Sequence, residues 1–572
     1  MDVSNDRPAR LSRRRAFTLA CIMTLGFLIL IVPAVIRDSV TIDEFAHLPV
    51  GLFMHSSHTF TIDAVNPPLG RLLIGWFSMA DATALDPGPT LDTWHLGYQF
   101  MQTYAADYHR QFMLPRLAIV GATVGLATLV FAWSCVWLGR RTAILALFFL
   151  FFSSAILAHG HLVTVDLLGA LGFTLAAWAT WWLLRNPTLA RSVVLGSCFA
   201  LAVLLKLSSV IALFGIAACS TLYILSPKKP EYISLRFVLG CVGLFVLAGL
   251  LVINTGYLFA GTGVRLSHSL IGESQTFGGL AQQFPDLRVP LPEALLLGID
   301  QILHNGSGGS TYLAGTLSVE PHWYYHLLAF FLKTPTAFLV LLGVAAFILR
   351  PFANSGDNRA PLLYCLTIPI MLILGANITL NSLQIGERHL LPAYPLLFMW
   401  VAHGVVQVID RPLHSIRPGL MTGIFSTLLV WYLSASVLVA PRYLQYFNIL
   451  AGGQYGGHRW LADSNIDWGQ DLIRLREYMA ERSLKQVNLG YFGRVHPAVY
   501  GIEFVPLDGQ KQSGTTVVSA SFLVGIPYWT YTREGLEWRP PGYYNWLLQQ
   551  TPTDRVGALF VYDFPASVPT DD

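Results

Sequence analysis

Two carboxylates, Asp43 and Glu44, stand side by side in SVTIDEFAHLPVG (residues 39–51), and His47 follows one helical turn later. Adjacent like charges raise each other's pKa, so such a pair calls for cations from other parts of the chain. Candidates recur at the ends of apolar segments. VNPPLGRLL (65–73) contains Asn66 and Arg71, Arg116 precedes a long apolar run, and HGHLVTVD (159–166) contains His161 and Asp166. Lys206 divides another run, FFLKTP carries Lys333, and QIGERHLLPAYP (384–395) carries Glu387, Arg388 and His389. In the tail, DSNIDWGQ (463–470) adds Asp463, Asn465, Asp467 and Gln470. This last group also reads as local structure, with Asp467 and Gln470 forming a helix capping box and Asp463 and Asn465 shaping the turn before it.

One base among several cations suits a displacement in which a hydroxyl attacks and a phosphate leaves. A hydroxyl is a poor nucleophile near pH 7 and gains from a carboxylate base. A departing phosphate needs positive charge around it more than a proton donor. A phosphate on a lipid would present its charge at the depth of these helix ends. The expected reaction is glycosyl transfer from a polyprenyl-phosphate sugar, with inversion by one direct displacement. Asp43 would act on the acceptor hydroxyl, with Glu44 supporting it. The plainer readings are solvated helix ends, an acid near a helix N-terminus at Asp166, interfacial anchors at Arg388 and His389, and snorkelling lysines at 206 and 333. His109, His159, His161 and His326 match no standard metal-site spacing, so no cofactor is read from the sequence and a divalent metal is not indicated.

The elements that position these residues are membrane helices. Hydrophobic residues make up 54% of the 572 positions and charged residues 12%, about half the share usual in a soluble protein. The net charge of +3 gives no reason to expect a nucleic-acid partner. The six cysteines lie singly in apolar segments and read as small buried hydrophobes. About eleven spans are expected, at 16–36, 116–137, 142–158, 163–184, 191–206, 208–226, 235–259, 326–349, 361–380, 389–409 and 418–439.

The first span follows Arg7, Arg10, Arg13, Arg14 and Arg15 and reads as an uncleaved anchor. Basic residues at 140–141, 185 and 191, 228–229, 350 and 359, and 411 and 417 then fall on the cytoplasmic side. The expected organisation is a cytoplasmic N-terminus (1–15) and a transmembrane catalytic domain (16–439) with large extracytoplasmic loops at 38–115 and 260–325. A small extracytoplasmic α/β domain (440–572) follows. Within it, 485–493, 515–525 and 556–564 read as strands and 467–483 as an amphipathic helix with Leu472, Leu475 and Met479 on one face.

The Asp-Glu pair after the first span resembles the signature of the protein O-mannosyltransferase family (glycosyltransferase family 39), in the GT-C superfamily. NPPLGRLL, the Asp at 166, LLKLSS, WYYHLLAFFLKTP and GERHLLPAYP occur in the order of bacterial members. YFNILAGGQYGGHRWLADSNIDWGQDL (446–472) is similar to a block of bacterial phospholipid-carrier-dependent glycosyltransferases. The resemblance implies a GT-C-type fold, a lipid-phosphate sugar donor and an extracytoplasmic site in a multi-pass protein of a bacterial inner membrane. It implies that Asp43 is the base or its main partner, that Asp166 is the second acidic residue, and that Arg388 and His389 hold the phosphate. The chain departs from the eukaryotic members in having no room for a β-trefoil domain, and His322 stands where a small residue is expected. The acceptor, whether protein, glycan or lipid, is therefore left open. Two other classes are a secondary transporter or flippase, which would carry charges at mid-membrane, and a non-catalytic polyprenyl-phosphate binder, which would not need the base.

Overall fold

The computed structural model describes residues 11–81, 85–88, 92–226, 230–269, 271–272, 274–304, 309–348, 363–410 and 418–565. The basic residues expected at 7, 10, 228, 229, 350, 359, 411 and 417 lie outside them.

Helices dominate as far as residue 437. They include α1 (Arg13–Arg37), α2 (Ile42–Ser57), α3 (Pro68–Trp76), α4 (Thr93–Thr103), α5 (Met113–Trp137), α6 (Arg140–Phe151), α7 (Ser154–His159), α8 (Asp166–Arg185), α9 (Leu189–Leu205), α10 (Ala212–Leu225) and α11 (Leu235–Gly256). After two short strands, β1 (Thr311–Leu313) and β2 (Thr316–Ser318), come α12 (Tyr325–Lys333), α13 (Thr336–Ile348), α14 (Tyr364–Thr379), α15 (Tyr394–Asp410) and α16 (Pro418–Val437).

Seven helical runs among the described residues are long and apolar enough to cross a membrane, and a bent pair raises the number to eight. The bend, 112° between α12 and α13, falls at Thr334–Pro335, where proline disfavours helical geometry in the residue before it. Two more expected spans are the shorter apolar helices α9 and α14. The remaining one, 142–158, is broken between α6 and α7, where Ser153 caps the second piece. The expected apolar segments are thus all helical, but four of them are short or broken.

The C-terminal region holds α17 (Leu472–Glu481) and strands β3 (Val487–Gly490), β4 (Phe504–Pro506), β5 (Gly514–Ser519), β6 (Tyr528–Thr532), β7 (Gly535–Arg539), β8 (Asp554–Val556) and β9 (Leu559–Phe564). Five strands form one sheet in the order β4-β3-β5-β9-β8, and β6–β7 is a separate antiparallel ribbon. The all-α polytopic core with a small α/β region, expected from the sequence, is the observed fold class. The strand expected over 515–525 ends at Ser519, and 520–523 turns into a short helix. That run is buried throughout, so its apolarity could not distinguish strand from helix.

One continuous buried core joins helices and sheet. The seam between them is hydrogen-bonded backbone. Ser39 N–H donates to Gln470 O (2.9 Å), Ile42 N–H to Trp468 O (3.1 Å), and Leu472 N–H to Ser39 Oγ (3.0 Å). Asp38 accepts from Arg474 (2.6 Å), and His161 Nε2 lies 3.0 Å from its other carboxylate oxygen. The start of α2 is therefore held by the tail as well as by the helices.

Arg116 and Glu44, both with fully buried side chains, form the most deeply buried ion pair among the described residues, beside this seam. Removing one partner leaves a buried uncompensated charge, so Arg116→Ala should cost about 3–5 kcal/mol. Arg37→Ala, which breaks a half-exposed pair with Glu477, should cost under about 1 kcal/mol. Thermal unfolding in detergent checks this contrast, and equal drops for the two variants would contradict it.

Candidate active site

Asp43 and Glu44 are neighbours in sequence but not in environment. Successive helical residues point about 100° apart, so the first turn of α2 aims its two acids at different partners. Glu44 accepts from Arg116 twice (2.8 and 2.7 Å), from the Val163 amide (2.9 Å), and from the Thr41 amide (3.0 Å) and hydroxyl (3.1 Å). The Thr41 contact is the backward-reaching half of a capping box. Burial raises the Glu44 pKa, but Arg116 and the two amides outweigh it and hold the carboxyl below its ordinary value. Arg116 is equally committed, donating also to the carbonyls of Val35, Asp38 and Ser39.

Asp43 faces a second cluster. Arg388, just before α15, donates to Asp43 at 2.5 Å and to Asp166 at 3.3 Å. Asp166, at the start of α8, also pairs with Lys206, which ends α9. The Lys206 stem lies across Gly169, where an added Cβ would meet its Cδ at 2.7 Å, so a side chain there would displace the lysine. Trp468 supplies the floor, with its ring 4.4 Å from the Arg388 guanidinium carbon. Within this cluster Asp43 is the accessible acid, its side chain 25% exposed against 6% for Asp166. Arg388 Nε, His389 Nε2 and His159 Nδ1 are buried without a protein partner.

Arg71 lies on α3, which starts at the double proline of NPPLGR. It donates to His47 Nδ1 (3.0 Å) and pairs with Asp63, and Asn66 donates to the same Asp63 oxygen (3.1 Å). Burial, with Arg71 beside it, pushes the His47 pKa down to about 4, so this histidine is neutral at pH 7. Asp43 and Asp166 lie within electrostatic reach of it.

The other expected residues are framework around these clusters. Lys333, at the end of α12, donates to the carbonyls of Leu444 (2.8 Å) and Asn465 (2.6 Å), with Glu387 3.9 Å away. Tyr394 OH donates to Glu387. Asn465 accepts from the Glu387 amide (3.0 Å) and donates to Tyr325 OH (2.9 Å). His161 bridges the Leu157 carbonyl and Asp38.

The capping box read at Asp467 and Gln470 does not form. The helix starts at Leu472, with Asp471 at its N-cap position. Gln470 instead accepts from the Trp468 amide (2.7 Å) and donates to Ile466 O and Asp471, and Asp467 accepts from Ser521 and Gly469 amides. The backbone at 468–470 is instead paired with Ser39 and Ile42, which leaves no helical geometry for it. Asp463 has left-handed backbone (φ 57°), and its side chain accepts from the Ser464 amide. Burial, opposed by Arg388, raises its pKa to about 6.

Sequence reasoning missed Asp38, Asp63, Trp468, Asp471 and Arg474. T-I-D-E at 41–44 is a capping-box signature that could have separated the roles of Asp43 and Glu44. Nothing comparable marks the others. Among the described residues, no group of three or more His, Cys, Asp or Glu side chains is arranged to hold a metal ion. An apolar groove of about 190 Å³ runs between α12, α13, α14 and α15, lined by Phe330, Leu342, Ile370, Leu390, Tyr394 and Leu397 among others.

No family model and no curated protein matches the chain. Among solved structures it is similar to ArnT from Cupriavidus metallidurans in the apo state (11% identity, 95% of this chain and 97% of that one, TM-score 0.47). The same protein bound to undecaprenyl phosphate gives 10% identity, 96% and 98% coverage and a TM-score of 0.47. The S. cerevisiae protein O-mannosyltransferase Pmt1-Pmt2 complex bound to the sugar donor gives 9% identity, 75% and 90% coverage and a TM-score of 0.46.

Asp467 gives a pH signature. Burial, against weaker opposition from the Ser521 amide, lifts its pKa from 3.8 to about 7, so the folded chain keeps a proton that the unfolded chain releases near pH 4. This group's contribution to stability therefore falls as pH rises from about 4 to about 7 and is level above that. Asp467→Asn should gain on the wild type in melting temperature between pH 5 and pH 8, and a difference independent of pH would refute the assignment.

Proposed function

We propose that the chain transfers a sugar from a polyprenyl-phosphate donor to an acceptor hydroxyl by one inverting displacement. The observation that carries this reading is Arg388. One guanidinium joins acids from two helices, Asp43 and Asp166, and Leu390, two residues on, lines an apolar groove. A lipid phosphate entering at this level would bring its charge to Arg388 and Lys206 and its tail to the groove. Asp43, the more accessible acid, takes the acceptor proton as the acceptor oxygen bonds to the anomeric carbon. The bond from that carbon to the phosphate oxygen breaks on the opposite face, and polyprenyl phosphate leaves with its charge held by the two cations.

In this reading Asp166 orients Arg388 and Lys206 and is not the base, because both cations already hold it. Glu44 sets the direction of Asp43. Neutral His47, braced by Arg71, borders the sugar site without adding charge to it. Lys333, Glu387, Asn465, Asp467 and Gln470 hold the floor in place. The site lies on the extracytoplasmic side, with the N-terminus in the cytoplasm, in a bacterial inner membrane.

The test is transfer or hydrolysis of labelled polyprenyl-phosphate sugars by the protein in lipid nanodiscs. Asp43→Asn preserves size and a contact to Arg388 but removes the base, and should lower kcat about 10²–10⁴-fold. Arg388→Ala should weaken donor binding about 10–100-fold, the worth of one or two charged hydrogen bonds. Wild-type turnover by Asp43→Asn would remove it from the chemistry, and unchanged donor affinity in Arg388→Ala would remove the phosphate role.

A further inference from the structure

The glycine-rich stretch NILAGGQYGGHRW (448–460) takes no part in the charged cluster. It folds as a tight loop. An added Cβ on Gly456 would meet the Ala451 carbonyl oxygen at 2.3 Å, and one on Gly457 would meet the Phe447 ring at 2.1 Å. The compact backbone leaves Ile449, Leu450 and Tyr455 on the outside, 64%, 60% and 66% exposed. Beside them is a cavity of about 530 Å³, lined by Ala314, Leu450, Tyr455, Arg459 and Trp460 among others. Arg459 is exposed and pairs with no carboxylate among the described residues. Arg555 braces the loop from behind, donating to the carbonyls of Gln454 (3.0 Å) and Tyr455 (3.4 Å), and its buried Nη2 has no hydrogen-bond partner.

The loop is tied to the bent helix pair. Asn448 Nδ2 donates to the carbonyls of Phe331 (2.6 Å) and Thr334 (2.8 Å), and the Asn448 N–H donates to Leu332 O (2.9 Å). Those carbonyls lie at the bend. On one side of it α13 packs against the apolar helices α15 and α16, and on the other α12 turns 112° away. With α13 running alongside the spans, α12 runs along the membrane surface. Its uncovered face carries Tyr324, Leu328 and Phe331, spaced as one side of a helix, with Tyr324 and Phe331 exposed and Leu328 half-buried. Trp323, just before it, is also exposed. Such a face is costly in water. Turned toward acyl chains, with tryptophan and tyrosine at headgroup level, it has the pattern of an interfacial helix.

We propose that the 448–460 loop and α12 form a binding site for an anionic phospholipid of the surrounding leaflet, with the headgroup phosphate at Arg459 and the acyl chains over Leu450, Ile449 and Phe331. This rests on the membrane orientation proposed above. Basic residues beside spans are concentrated on the cytoplasmic side, so an unpaired arginine on the other side calls for an anion from outside the chain. A guanidinium meets a phosphate with paired hydrogen bonds, and Tyr455 and Trp460 give the cavity amphipathic walls. Asn448 fixes Ile449 and Leu450 beside Phe331, on the face of α12 that meets lipid, which favours a lipid over a second copy of the chain. The site is separate from the donor groove. That groove takes Phe330, which points about 100° away from Phe331 around the helix.

The test uses the full-length protein in phosphatidylcholine nanodiscs without donor. The discs carry a trace of phosphatidylglycerol with a diazirine on one acyl chain near the glycerol, and labelled peptides are mapped by mass spectrometry after irradiation. Label should fall in 448–460 and α12, and photoreactive phosphatidylcholine should give about fivefold less there. Arg459→Glu reverses the charge and should cut the phosphatidylglycerol label about tenfold, whereas Arg459→Lys should stay within about threefold. Excess unlabelled phosphatidylglycerol should remove the label, and glycerol phosphate, which has no chains, should not. Arg388→Ala should leave it unchanged. Five results would overturn the proposal: no label in the loop, equal label from the two lipids, full label in Arg459→Glu, competition by glycerol phosphate, or loss of label in Arg388→Ala, which would put the lipid in the donor cluster. An unlabelled loop in discs that hold two chains would assign it to a second copy. If Asp43→Asn and Arg388→Ala turn over donor normally while the loop keeps its lipid, the transfer reading falls alone. An unlabelled loop with both variants impaired removes only the lipid site.

Discussion

The buried pair of Glu44 and Arg116 decides where Asp43 points. Two acids at adjacent positions of a helix cannot share one cation, and the chain resolves this by giving each its own. Glu44 takes a guanidinium that is itself held by three carbonyls, together with two amides and a hydroxyl, so its lone pairs are occupied and its direction is fixed. The α-helix then places Asp43 on another face, toward Arg388. A buried ion pair of this kind is weak evidence for net stability. Its value here is orientation, since loss of either member would free the first turn of α2 to rotate.

The same logic extends to the tail. Residues 38–42 are pinned on one side by Arg116 and on the other by 468–472, so the helical core and the C-terminal region share the segment that leads into Asp43. Trp468 completes the connection. Its amide neighbourhood is fixed by Gln470 and its carbonyl by Ile42, and its ring carries Arg388. A segment placed so far along the chain is thus part of the charged cluster's floor.

Much of this was legible in the residues. Apolar runs located the helices, and acids and bases at the helix ends marked the cluster, because a membrane helix tolerates charge only where charge is paired or wetted. The partners were harder. Arg388 is 345 positions from Asp43 and 222 from Asp166, separations that no local rule spans. The breaks in α6–α7 and α12–α13 were hidden because hydropathy averages over a bend. The failed capping box at Asp467 has a definite cause: a local signature competes with backbone pairing to residues 39–42, and the tertiary partner wins.

The division of cations also bears on how the cluster would respond to a ligand. Arg116 is fully coordinated by protein atoms. Arg388 keeps a buried nitrogen without a protein partner, as do His389 and His159 nearby. Arg388 Nε is a donor, and a buried donor left in that condition is costly unless another group completes it. Asp43 sits at this edge, more exposed than Asp166. The partly exposed Asp43 and the unpartnered Arg388 nitrogen thus meet at one edge of the cluster, with α2 held in place there by Glu44.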